Sequence, residues 1–164
     1  MKRMLMACLC VGLMISMAVV ALAAAQSYAG TWALDKSKSG ELPRMWQNAE
    51  SIQMDVTQND KTLGVTVKGG RGDETLTYNL DGTPSTVDMG GRMPGKATLI
   101  AKVNADGSVE LRTQREMNFQ GNPVTIKTTE VWQLADGGKT LKVKRTSESP
   151  RGTQESNLVF TKKE

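Results

Sequence analysis

From residue 50 onward the chain alternates between apolar and polar residues, and turn signals interrupt it about every twelve residues. "SIQMDVTQ" sets Ile52, Met54 and Val56 on one face and ends at Asn59-Asp60. "TLGVTVK" offers Leu63, Val65 and Val67 before a Gly69-Gly70-Arg71-Gly72-Asp73 loop, and "ETLTYNL" offers Leu76, Tyr78 and Leu80 before Asp81-Gly82. A weak strand over 85–89 precedes "GGRMPG"; "KATLIAKV" then offers Ala97, Leu99, Ala101 and Val103. "SVELRTQREMNF", "IKTTEVWQL", "TLKVKR" and "ESNLVF" complete the series, separated by Asn104–Gly107, Gly121-Asn122-Pro123, Asp136-Gly137-Gly138 and Pro150-Arg151-Gly152. A period of two with turn residues between runs predicts half-buried antiparallel strands joined as hairpins. Only "ELPRMWQNAE" suggests a short helical turn. Some eight to ten strands in hairpin order are expected to close into one all-β up-and-down antiparallel barrel, because closure removes unpaired edges. A two-sheet sandwich would need a longer crossover, and none is visible.

The first 25 residues have a different character. Lys2 and Arg3 precede an apolar run from Leu5 to Val20, and Ala21-Leu22-Ala23 or Ala23-Ala24-Ala25 supplies a small-x-small site. This pattern predicts a secretory signal peptide over 1–25, a mature domain over 26–164, and a periplasmic or secreted location without a stable membrane span after cleavage. Both cysteines, Cys8 and Cys10, fall in the leader, and the chain has no histidine. The mature domain therefore lacks disulfides, thiolate nucleophiles and histidine bases, and no cofactor is expected. Lys2 and Arg3 carry two of the formal net charge of +4, and the rest of the basic residues are scattered among acids. Nucleic acid has no footprint here beyond Lys142, Lys144 and Arg145. "NADGS" and "LADGGK" lack the ligand spacing of a calcium loop, so no metal is expected. The oligomeric state is not legible.

One residue breaks the alternation. In "IKTTEVWQL", Ile126, Thr128, Trp132 and Leu134 share a face, and Glu130 falls on it too. If apolar faces are matched across hairpins, Glu130 lies opposite Arg145, Trp132 opposite Val143, and Arg145 opposite Ser156. The same matching sets Phe119 opposite Val124, Arg115 opposite Thr128, and Thr113 opposite Glu130. Arg115, Glu130 and Arg145 then form one inward patch with Thr113, Thr128 and Ser156, beside Trp132. Two readings follow. The patch is a structural ion network, or its surplus positive charge is the counter-charge for the head of a small amphipathic or anionic molecule, with apolar walls around the tail.

Near the start of the mature chain stands "YAGTWALDKSKSG". Its Gly30-Thr31-Trp32 resembles the opening strand of lipocalins and the wider calycin barrels, and with the leader and hairpin spacing the chain resembles small lipocalin-like proteins of the bacterial envelope. The resemblance implies that Trp32 plugs the closed end of the barrel and that a basic residue from the last strands, Lys162 or Arg145, stacks on it. It also implies ligand binding without catalysis. The residues point the same way: Asp73 and Glu74 are neighbours with opposed side chains, which suits a solvated hairpin better than acid–base chemistry. A carboxylate between guanidiniums is also a poor general acid. The alternative is an envelope interaction module with a filled barrel, using loops such as 69–74 and 89–95. The second of these reads as either a flap over the mouth or a slack connection.

Overall fold

The computed structural model describes residues 26–69, 73–90, 94–119 and 121–164. The signal-peptide reading therefore falls outside the described residues, as do positions 70–72 and 91–93 of the two glycine-rich loops. Ten strands form one sheet: β1 (Gly30–Leu34), β2 (Gln53–Gln58), β3 (Thr62–Lys68), β4 (Glu74–Asn79), β5 (Ser85–Met89), β6 (Gly95–Val103), β7 (Val109–Phe119), β8 (Asn122–Ala135), β9 (Thr140–Ser149) and β10 (Gly152–Lys162). Their spatial order is β4-β3-β2-β1-β10-β9-β8-β7-β6-β5, all antiparallel. Strands consecutive in sequence pair in the sheet except β4 and β5, and β1 pairs with β10, bringing the first and last strands together. This is the expected up-and-down barrel, nearly closed, with β4 and β5 as its two free edges. Among the described residues there is no α-helix, and none long and apolar enough to cross a membrane.

Each strand's alternation turns one set of side chains inward. Ile52, Met54, Val56, Leu63, Val65, Leu99, Leu111, Trp132, Leu141, Val143, Leu158 and Phe160 are all buried. The end near β1 is sealed by aromatic groups. Trp32 and Tyr28 are wholly buried, the Trp32 Nε1 donates to the Tyr28 carbonyl at 2.8 Å, and the Tyr28 hydroxyl donates to the carbonyls of Gly107 (2.9 Å) and Trp132 (3.1 Å). The basic residue over Trp32 is Lys162, whose Nζ lies 5.3 Å from the ring centroid. Gly30 makes this possible: its φ is +135°, and a Cβ there would stand 2.6 Å from Lys162 Cε. The stretch expected to turn helically carries only isolated turns, with Trp46 N donating to Pro43 O at 2.7 Å. It follows β10 where β1 ends, through Gly40 N to Asn157 O at 2.8 Å, and lays Trp46 edge-on against Phe160.

Candidate functional site

The inward face of β8 carries Trp132, Glu130, Thr128 and Ile126 in turn from the sealed end. Expected and observed registers agree between β8 and β9 and between β9 and β10: Glu130 lies opposite Arg145, and Arg145 opposite Ser156. Arg145 Nε donates to Glu130 Oε1 at 3.2 Å, and Trp132 Nε1 donates to Glu130 Oε2 at 2.9 Å. The two charged side chains keep only 15% (Arg145) and 23% (Glu130) exposure. Glu130 thus has a partner on each oxygen. Arg145 does not: among the described residues its terminal nitrogens make no hydrogen bond. Ser156 beside it is 2% exposed, and its hydroxyl has no partner.

The β7–β8 register differs from expectation. Thr113 lies opposite Thr128, Arg115 opposite Ile126, Leu111 opposite Glu130 and Phe119 opposite Asn122, a slip of two residues from the pairing inferred by matching apolar positions. Asn122 and Pro123, read as turn residues, instead belong to β8, and the reversal is tight, with Gly121 at φ +84°. A two-residue slip keeps every side chain on its face while changing its neighbours.

Arg115 consequently leaves the Glu130 cluster. It makes a two-pronged ion pair with Glu74 across the barrel, NH1 to Oε1 and NH2 to Oε2 at 2.7 Å, and NH1 also approaches Met89 Sδ at 3.5 Å. This corrects two expectations. Glu74 is no merely solvated hairpin residue, since its side chain turns inward at 42% exposure. The patch also carries no surplus positive charge, because two arginines meet two glutamates. Sequence reasoning missed Glu74 because its partner is 41 positions away and the pair is not carried by a ladder. Tyr78, taken as a plain core residue, shares a 2.8 Å hydrogen bond with Thr113. Burial chiefly, with Glu130 nearby, raises the ionisation of the Tyr78 hydroxyl far above its ordinary value. Thr128 is half-buried between Thr113 and Ser147.

A polar belt of Glu74, Tyr78, Thr113, Arg115, Glu130, Arg145 and Ser156 therefore crosses the interior above an apolar floor headed by Trp132. Two clefts open elsewhere. One, of about 370 Å³, lies beside the β4–β5 turn among Leu80, Gly82, Ile100 and Val103. The other, of about 500 Å³, lies at the end of β1 among Leu34, Asp35, Ile52 and Lys162. Neither is lined by a belt residue; the belt's charged side chains reach solvent in part, Glu74 at 42% and Arg115 at 23% exposure. Among the described residues no group of carboxylates is arranged to hold a metal ion.

No family model matches the chain, and no curated protein matches its sequence. Solved structures do share its fold. It is similar to a REP1-NXSQ fatty acid transporter (TM-score 0.57, 9% identity, covering 83% of this chain and 96% of that one). It is also similar to a zebrafish ileal bile acid-binding protein complexed with cholic acid (TM-score 0.54, 13% identity, covering 83% and 98%). At such identities the likeness is one of fold: a ten-stranded calycin-type barrel.

Proposed function

We propose that this chain is a non-catalytic binding protein for a small amphipathic molecule whose oxygen-bearing head, most simply a carboxylate, is held inside the barrel. One observation carries this reading: Arg145 spends only Nε on Glu130, and Ser156, opposite it in the β9–β10 ladder, has a buried hydroxyl with no partner. A guanidinium fork offers two parallel donors to a carboxylate, and a buried hydroxyl without a partner costs free energy that a ligand oxygen would recover. The floor of Trp132, Leu111, Val143 and Leu158 lies on one side of these groups, so the tail would run the other way, along Ile126, Ala97 and Val87. The fold neighbours carry fatty acids or bile acids by their own descriptions, which agrees with an amphipathic ligand. Catalysis has no support in the belt, where each carboxylate is engaged by an arginine. The leader over 1–25 supports export to the periplasm or beyond.

The test is native mass spectrometry of the purified chain, then titration with dodecanoate and with uncharged dodecanol. Dodecanoate should bind, dodecanol should bind more weakly, and Arg145→Lys should weaken dodecanoate about tenfold, since an ammonium pairs with Glu130 but lacks the fork. A protein that co-purifies empty and ignores both compounds overturns the reading and leaves a filled barrel acting through its outer surface.

A further inference from the structure

Three Asp-Gly pairs stand in turns between strands: Asp81-Gly82 after β4, Asp106-Gly107 after β6 and Asp136-Gly137 after β8. Such a pair is open to reaction with itself, because glycine has no Cβ to keep its backbone nitrogen away from the preceding carboxyl. All three aspartates are exposed, so access to water does not separate them. Their hydrogen bonds do.

Two of the three are tied at both reacting groups. Asp81 Oδ1 accepts from the Thr83 backbone N–H at 2.9 Å and from the Thr83 hydroxyl at 2.6 Å, and the Gly82 N–H is spent on Asn79 O at 3.3 Å. Asp106 repeats the arrangement. Its Oδ1 accepts from the Ser108 N–H at 2.9 Å and the Ser108 hydroxyl at 2.6 Å, while the Gly107 N–H donates to Asn104 O at 3.0 Å. These bonds, the hydroxyl's first, also hold both carboxyls below the ordinary aspartate value, so the neutral acid that the reaction needs is scarce at neutral pH.

Asp136 differs on each point. Its carbonyl accepts from the Lys139 N–H at 3.4 Å, but among the described residues its carboxylate has no partner and the Gly137 N–H makes no hydrogen bond. Position 138 is glycine, so the hydroxyl that Thr83 and Ser108 supply two residues on is missing. Among the described residues Asp136 is also the one non-glycine at positive φ, +52°, where an L side chain is crowded. Gly137 follows at φ +64° in open space: a Cβ there would meet no atom within 4 Å.

We infer that Asp136 is a self-modification site, where the Gly137 nitrogen closes on the Asp136 side chain and the β8–β9 turn converts to an isoaspartyl linkage. The nitrogen attacks Cγ of the protonated carboxyl; the N–Cγ bond forms, the Cγ–OH bond breaks, and water leaves with the amide proton. Water then adds to the main-chain carbonyl of the five-membered imide. The bond from that carbonyl to nitrogen breaks, and the chain continues through Cβ and Cγ. One water is released and one consumed, with no change of oxidation state. The product has Cβ in the main chain, which removes the crowding that positive φ imposes on the L-residue. The added atom lies just past the last β8–β9 pair, Ala135 opposite Thr140, so the ladder that sets Glu130 opposite Arg145 can stay in place.

The experiment is prolonged incubation of the purified protein at neutral pH, folded in buffer and unfolded in urea. Total isoaspartate is read by methyl transfer from S-adenosylmethionine with an isoaspartate-specific methyltransferase. Its position is read by mass spectrometry after digestion with an endoprotease that cuts before aspartate and not before isoaspartate. In the folded protein position 136 should convert more than about tenfold faster than 81 or 106, where hydrogen bonds on both the carboxyl and the amide must part before attack. In urea the three rates should converge, because each position is then only an aspartate followed by glycine. Thr83→Ala, an exposed change that removes the hydroxyl from Asp81, should speed conversion at 81 severalfold in the folded protein and leave 136 unchanged. Equal rates at the three positions in the folded protein, or a position 136 that converts in urea and not in the fold, overturn the inference.

Discussion

The Glu130–Arg145 pair gives a direct measure of how far inside the barrel the belt lies. At 3.2 Å and an effective dielectric of about 20, the attraction is roughly 5 kcal/mol before desolvation is subtracted. Breaking a fully buried pair from one side costs about 3–5 kcal/mol. Here the side chains retain 15% and 23% exposure, and Glu130 keeps the Trp132 indole N–H as a partner. Arg145→Met should therefore cost about 2–3 kcal/mol, lowering the melting temperature by about 8 °C for a domain of this size. Glu130→Gln, which still offers Trp132 an oxygen, should cost about 1–2 kcal/mol. The double variant leaves neither charge stranded, so its cost should fall below the sum of the singles, with a coupling of about 2 kcal/mol. Urea denaturation of the four proteins supplies the cycle. Strictly additive singles, with coupling below about 0.5 kcal/mol, would mean that the pair is solvated and that the belt is not an interior feature.

Both tyrosines should resist ionisation in the folded protein. Burial first, then Asp106, pushes Tyr28 up to about 12, and Tyr78 is raised as well. Because the folded values exceed the unfolded value of about 10, this contribution to stability is whole below pH ~10 and is lost as pH rises from there through the folded values. Urea midpoints should fall between pH 9.5 and 11.5, while phenolate absorbance in the folded state stays low; a normal titration near pH ~10 would contradict the burial of both rings. Gly30→Ala should destabilise by about 1–3 kcal/mol, since it adds a Cβ at φ +135° against Lys162. In that background Lys162→Ala should recover the steric share but not the backbone share, which thermal melts of the three variants would resolve.

The fold was legible because its information is local. Face assignment needs only a period of two, and the turns after Gln58, Asn79, Val103 and Ala135 carry their own asparagine, aspartate or glycine signals. The near-closed barrel followed from the hairpin order, and a basic residue over Trp32, Lys162 or Arg145, from the resemblance to calycin barrels; Lys162 takes that place. Register was legible only where the turn was read correctly. The β9–β10 reversal at Pro150-Arg151 leaves Ser149 opposite Gly152, so Arg145 and Ser156 come out as partners. At the β7–β8 reversal, Asn122-Pro123 looks like turn chemistry, yet the proline takes an extended place opposite Asn118, and the partners shift by two. Contacts that cross the interior without a ladder have no local signal at all. Arg115 could have been paired with Glu74 only by knowing the curvature that brings β4 over β7.

Why a carboxylate points where tryptophan and leucine point now has a physical answer. A wholly buried indole carries an N–H that must be accepted by something, and Glu130, two residues away on the same face, accepts it at 2.9 Å. The charge that this acceptor brings inside then requires a cation, and Arg145, directly opposite, supplies it through Nε. Each of these residues satisfies a demand set by the one before, and the chain of demands ends with a surplus: guanidinium donors that Glu130 does not use, next to a hydroxyl with no partner. A purely structural network would be expected to satisfy its buried hydroxyls, because an unmet buried polar group is costly. That this one leaves the Ser156 hydroxyl unmet is the strongest reason to look for its partner in a ligand. Replacing Ser156 by alanine offers the matching check. If no ligand oxygen ever meets the hydroxyl, removing a buried, unpaired O–H should leave stability unchanged or raise it by about 1 kcal/mol, with no loss of dodecanoate affinity. A gain in stability accompanied by loss of affinity would mark the hydroxyl as kept for the ligand.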